Sequence, residues 1–119
     1  MAPTANAAFI IGGKTIDSAL GFLPIDGNRY TQASPGKMAM MKFQFEDVHV
    51  IFCDEISMVG SMKLLKINYR LQDLVDENRC QDYMGGISFV ASGNYLNFLV
   101  ICLCLSFLIF NWVVNNIDK

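Results

Sequence analysis

The strongest constraint on this chain is the run Val48-His49-Val50-Ile51-Phe52-Cys53, which ends abruptly in Asp54-Glu55. A strand buried on both faces reads as a continuous apolar run, and such strands belong to parallel sheets that gather ligands at their carboxyl edge. Two carboxylates at that point have a definite use. The first can hold a magnesium ion through its water shell, and the second can orient or deprotonate an attacking water. A strand that simply ends in solvated acids gives the same local pattern, so the surrounding chain must decide.

Downstream of the run, Leu64, Ile67, Leu71 and Leu74 recur at intervals of three and four, with Lys63, Lys66, Arg70, Gln72 and Asp73 between them. This periodicity predicts an amphipathic helix over 61–78, with the cations on its solvated outer side. Residues 80–86 form a connection, and Ile87 to Ser92 is a second apolar strand. Strand, helix and strand in this order predict a parallel βαβ unit. Upstream, Thr4 to Ile11 is apolar and fits a strand or a short helix; Gly12-Gly13 breaks it, and Thr15 to Gly21 is expected to be helical. Residues 23–42, with Pro24, Gly27, Asn28, Ser34, Pro35 and Gly36, are expected to be a loop in which Ser34-Pro35-Gly36-Lys37 makes a turn. Met38, Met40 and Met41 are expected to be packing or loop residues.

Several chemistries are disfavoured. Gly12-Gly13-Lys14-Thr15 mimics the end of a phosphate-binding loop, but the loop's first glycine would have to stand at position 8, which is Ala8. Cys53, Cys80, Cys102 and Cys104 show no C-x-x-C spacing and His49 is the only histidine, so neither a metal cluster nor a Cys/His nucleophile is expected. The net charge of -2 leaves no overall basic footprint for nucleic acid.

Three blocks of the chain, in order, resemble motifs of one family, the PIF-type (petite integration frequency) DNA helicases, including those of Helitron-like transposons. Residues 2–20, APTANAAFIIGGKTIDSAL, are similar to the family's APTGxAAxxIGGxTIHSxxG stretch, its motif Ia. Asp54-Glu55-Ile56-Ser57-Met58-Val59 resembles its Walker B acids, and residues 85–94, GGISFVASGN, resemble the GGISVIxSGD strand that leads into motif III. The order makes the resemblance far more specific than any single block. It implies an α/β fold, part of a RecA-like (P-loop NTPase) parallel-sheet motor domain, over residues 1–97. It further implies an ATP-dependent helicase that unwinds DNA 5′ to 3′ in repair, recombination and telomere maintenance in the nucleus. Asp54 would take the magnesium of Mg2+-ATP, Glu55 would activate water, and Thr4 and Asn6 would contact single-stranded DNA. Asn97 stands where the family has the glutamine that senses the γ-phosphate.

The departures carry their own expectations. The family's phosphate loop would lie upstream of Ala2 and its second motor domain, with the arginine finger, beyond Asn97, so the chain is expected to be a truncated fragment that hydrolyses no ATP by itself. The family's histidine in TIHS is Asp17 and the glycine of its PTG is Ala5.

Beyond residue 97 the resemblance stops, and residues 98–119 form a tail outside the family pattern. From Tyr95 to Val114 run twenty residues without charge, proline or glycine. A helix of roughly 20 residues at about 1.5 Å each spans a bilayer core of about 30 Å, so a C-terminal transmembrane helix and a membrane partner are expected over 95–114. The alternative to a helicase fragment is therefore a small single-span membrane protein, or an inactive transposon-derived remnant.

Overall fold

The structure, a computed structural model, describes residues 1–23, 27, 29–75 and 79–93. The predicted span at 95–114 and Asn97 lie outside the described residues. Among the described residues, no helix is long and apolar enough to cross a membrane.

The chain opens with two short helices, α1 (Ala5–Ile10) and α2 (Ile16–Leu20). Each begins on a threonine whose hydroxyl satisfies a backbone donor of the first turn: Thr4 Oγ1 accepts from Ala7 N–H, and Thr15 Oγ1 from Ser18 N–H, both at 3.3 Å. The two glycines between them end α1. Gly12 takes a φ of 63° and donates to the Phe9 carbonyl at 3.1 Å, while Gly13 donates to the Ala8 carbonyl at 2.8 Å. That pair of reversed hydrogen bonds is a Schellman motif, for which glycine is the favoured residue.

Helix α3 (Pro35–Phe45) replaces most of the second half of the expected loop. Ser34 and Pro35 do not make a free turn. They are the N-cap and first helical position, where the missing proline N–H costs nothing, and Lys37, Met38, Ala39, Met40 and Met41 then carry the helix forward as good helix formers. Met41 is buried, Met38 packs partly against the core and Met40 is exposed. Lys37 donates to the Gly21 carbonyl at 2.8 Å, which ties α3 to the end of α2.

The βαβ expectation holds. Strands β1 (Val50–Cys53) and β2 (Ser88–Ala91) pair in parallel, with Val50 opposite Ser88 and Cys53 opposite Ala91, and α4 (Ser61–Leu74) connects them. Ile51 and Cys53 point into a core that also holds Leu64, Ile67, Leu71 and Leu74 of α4, Ile16 and Leu20 of α2, and Met41. Val50, Phe52 and Val90 lie on the other face and are exposed, at 45%, 65% and 46%. The strand is thus covered on one face among the described residues, although its sequence is apolar on both.

The cations of α4 depart from expectation. Lys66 and Arg70 are buried, at 5% and 1% exposure, because Phe22, Gly27, Tyr30 and Thr31 lie against the side of the helix that was expected to face water. Lys66 donates to the Gly27 carbonyl and Arg70 Nη2 to the Thr31 carbonyl at 2.9 Å. The Arg70 guanidinium sits 5.3 Å from the Phe22 ring centre and 5.2 Å from that of Tyr30, within cation–π range. Lys63 pairs with Asp17, the residue that stands where the resembling family has histidine.

The rest of the helix holds the return to β2. Asn68 Oδ1 accepts from Met84 N–H at 2.8 Å, and Gln72 Nε2 donates to the Asp82 carbonyl at 3.0 Å. Gly85 passes so close to α4, with a φ of 62°, that a Cβ there would meet the Leu71 carbonyl oxygen at 2.7 Å. These contacts fix where β2 starts and so where its far end arrives.

Candidate functional site

That far end meets the two acids. β1 delivers Asp54 and Glu55, both half-buried, to the carboxyl edge of the sheet. Two backbone neighbours hold them there. On the free edge of β1, the Met1 amino group donates to the Phe52 carbonyl, and Asp54 N–H donates to the Met1 carbonyl at 3.0 Å. On the other edge, Ser92 N–H donates to the Cys53 carbonyl and the Ser92 carbonyl accepts from Ile56 N–H, each at 2.8 Å. The Ser92 peptide therefore grips the chain on both sides of the acid pair. The residues gripped between must turn sharply, and Glu55 does so in the left-handed region, at φ 51° and ψ 40°. A non-glycine side chain there costs on the order of 1 kcal/mol, and residues held in such geometry cluster at functional sites. Ile56–Met58 then close one 3-10 turn that leads to α4.

A groove of about 700 Å³ runs along β1 from Phe45 and Val48 past Val50 and Phe52 to Asp54, with Lys14 also on its wall. Its lining is mostly apolar apart from that lysine, that acid and Ser92. Beside it, Cys53 is 1% exposed; burial pushes its thiol up to about 11, with the nearby amino terminus opposing and Asp54 adding to the rise. A thiol held protonated is no nucleophile at neutral pH. That agrees with a packing role for Cys53.

The chemistry open to the acid pair is narrow. Among the described residues, no three His, Cys, Asp or Glu side chains gather to hold a metal alone. Two carboxylates suit a magnesium ion that keeps most of its waters and takes its other ligands from a phosphate. Gly12-Gly13-Lys14-Thr15 offers no phosphate cradle, because the amides of Gly12 and Gly13 are spent on the end of α1 and the Thr15 hydroxyl caps α2. Thr4 is likewise occupied as the cap of α1, and Asn6 is exposed on the first turn of that helix. The structure thus brings together Asp54, Glu55 and the end of β2. Thr4 and Asn6 stand apart on α1, and Asn97 lies outside the described residues. Sequence reasoning missed the grip of Ser92, which is made by backbone atoms and leaves no side-chain signature, and it missed the burial of Lys66 and Arg70.

Compared with known proteins, the structure is similar to that of unliganded Pif1 from Bacteroides sp, with a TM-score of 0.59 and 29% sequence identity. The match covers 78% of this chain and 21% of that one, so the chain spans about a fifth of the length of the protein that it resembles. No family model matches the sequence, and no curated protein matches it.

Proposed function

We propose that residues 1–97 are part of the first, RecA-like motor domain of a Pif1-type ATP-dependent DNA helicase, with residues 98–119 as a separate hydrophobic tail. The observation that carries this reading is the acid pair at the end of β1, gripped by the end of β2, in a fold that is similar to part of Pif1 from Bacteroides sp. Asp54 would hold the magnesium of ATP through water, and Glu55 would orient and deprotonate the attacking water. Magnesium would neutralise developing charge on the phosphates. Thr4 and Asn6 at the start of α1 are the candidate contacts to single-stranded DNA, although the Thr4 hydroxyl already serves as a cap. Asn97 would take the γ-phosphate-sensing position. The setting would be nuclear DNA unwinding in the 5′ to 3′ direction, in repair, recombination and telomere maintenance.

The 119 residues contain no G-x-x-x-x-G-K-[ST] segment, and phosphoryl transfer depends on electrostatic groups that such a loop and an arginine finger supply. The purified chain is therefore expected to show no magnesium-dependent ATP hydrolysis. A rate that disappears on Glu55→Gln would contradict that expectation. Sequencing of the full transcript tests the wider reading. A phosphate-loop segment encoded in frame upstream of Met1 is the expected result. A transcript that encodes only these 119 residues would favour the second reading, an inactive remnant or small membrane protein, which rests on the uncharged stretch 95–114.

A further inference from the structure

We propose that Ser92 and Gly93 are positioning residues for the acid pair, and that position 93 must be glycine because a side chain there would displace Glu55. The inference rests on the reading of Asp54 and Glu55 as the magnesium and water-activating acids. It adds residues that touch neither metal nor nucleotide. A Cβ built on Gly93 would lie 3.2 Å from both Ile56 N and Ser57 N and 3.3 Å from Ile56 Cγ2. That is tighter than ordinary van der Waals contact, and the two nearest atoms are backbone nitrogens, which cannot swing aside as the end of a lysine could. The requirement is spatial, since the φ of Gly93, unlike those of Gly85 and Gly86, lies outside the left-handed region.

Ile56 has nowhere to yield. Its N–H is fixed on the Ser92 carbonyl at 2.8 Å, its own side chain is 1% exposed in the core, and its carbonyl accepts from Val59 N–H at 2.9 Å. The strain of an added methyl group must therefore pass to the neighbouring torsion that is already least favourable, the left-handed Glu55 at φ 51°. A small rotation there swings the Glu55 carboxylate relative to Asp54. Water activation needs that carboxylate within hydrogen-bond reach of the water, so its placement is what the glycine protects.

The test uses the ¹⁵N-labelled 119-residue chain, with Mn2+ as the probe for the magnesium position. In Gly93→Ala, the Glu55 three-bond HN–Hα coupling and the amide shifts of residues 54–57 are expected to change while those of α4 stay in place. Mn2+ broadening at Asp54 and Glu55 is expected to need several-fold more ion. A folded Gly93→Ala variant with an unchanged Glu55 coupling and an unchanged Mn2+ titration would overturn the proposal. If that variant does not fold, hydrogen exchange in the parent chain decides: a slow Ile56 amide supports the grip, and one that exchanges like an exposed amide overturns it. A Glu55 coupling that responds to Gly93→Ala while the parent shows no Mn2+ effect at Asp54 upholds the positioning and overturns the metal reading instead.

Discussion

At Cys53 and Tyr83, burial acts on protons as well as on packing. Desolvation pushes the Cys53 thiol from an ordinary 9.0 up to about 11, and the Tyr83 hydroxyl, buried with no hydrogen-bond partner among the described residues, from 10.0 up to about 12. Both groups hold their protons more tightly folded than unfolded. Their contribution to stability is complete below about pH 9, and it is lost as pH climbs through 11 to 12, because the unfolded chain then gains by ionising first. The melting temperature is accordingly expected to fall over that alkaline window, with a shallower fall in Cys53→Ala and in Tyr83→Phe; equal slopes in all three chains would argue against it. The position of Asp54 and Glu55 at the end of a strand was legible in the sequence because an apolar run that stops on two acids marks where the strand ends. The left-handed turn at Glu55 and the closeness of Gly93 were not, since both arise from where β2 ends in space, and no local pattern records that.

Among the elements, α4 was legible because period and burial agree there, and β1 and β2 because short apolar runs mark strands even where one face stays open. Leu64, Ile67, Leu71 and Leu74 mark the buried stripe of α4, and all four lie in the core. Helix α3 was hidden for the opposite reason. Only Met41 on it is buried, so it carries no apolar period, and Ser-Pro-Gly signals a turn as readily as a helix start. The second side of α4 was misread because lysine and arginine are usually solvated, whereas here Phe22 and Tyr30 cover them. Arg70 spans two aromatic rings and a carbonyl, so Arg70→Ala should destabilise the chain by about 2–3 kcal/mol. Arg70→Lys should restore little, because an ammonium cannot stack between rings as a planar guanidinium does. Denaturant unfolding of the two variants reads this directly; a near-complete rescue by lysine would show that charge alone matters there.

At the scale of the whole molecule, the sheet is apolar on two faces and, among the described residues, covered on one. Val50, Phe52 and Val90 leave an apolar strip beside a groove of about 700 Å³. Exposed strips of this kind promote association, so the chain is expected to bind hydrophobic dyes and self-associate, and Phe52→Thr, which puts a strand-favouring β-branched residue in place of the ring, should reduce both. Light scattering of the two chains checks this; identical behaviour would locate the sticky surface elsewhere. The parallel βαβ unit and its acid edge were visible in the order of the elements, but the one-sided covering was not, because an apolar run reports that burial is wanted and not what supplies it. The proposed function requires that this unit can stand in for part of a helicase motor. It is tested most directly by exchanging residues 1–93 for the matching segment of Pif1 from Bacteroides sp and measuring magnesium-dependent ATP hydrolysis. An active chimera is expected, with a rate that collapses by orders of magnitude on Glu55→Gln and on Asp54→Asn. A folded chimera that is inactive, or one whose rate is indifferent to Glu55→Gln, would contradict it.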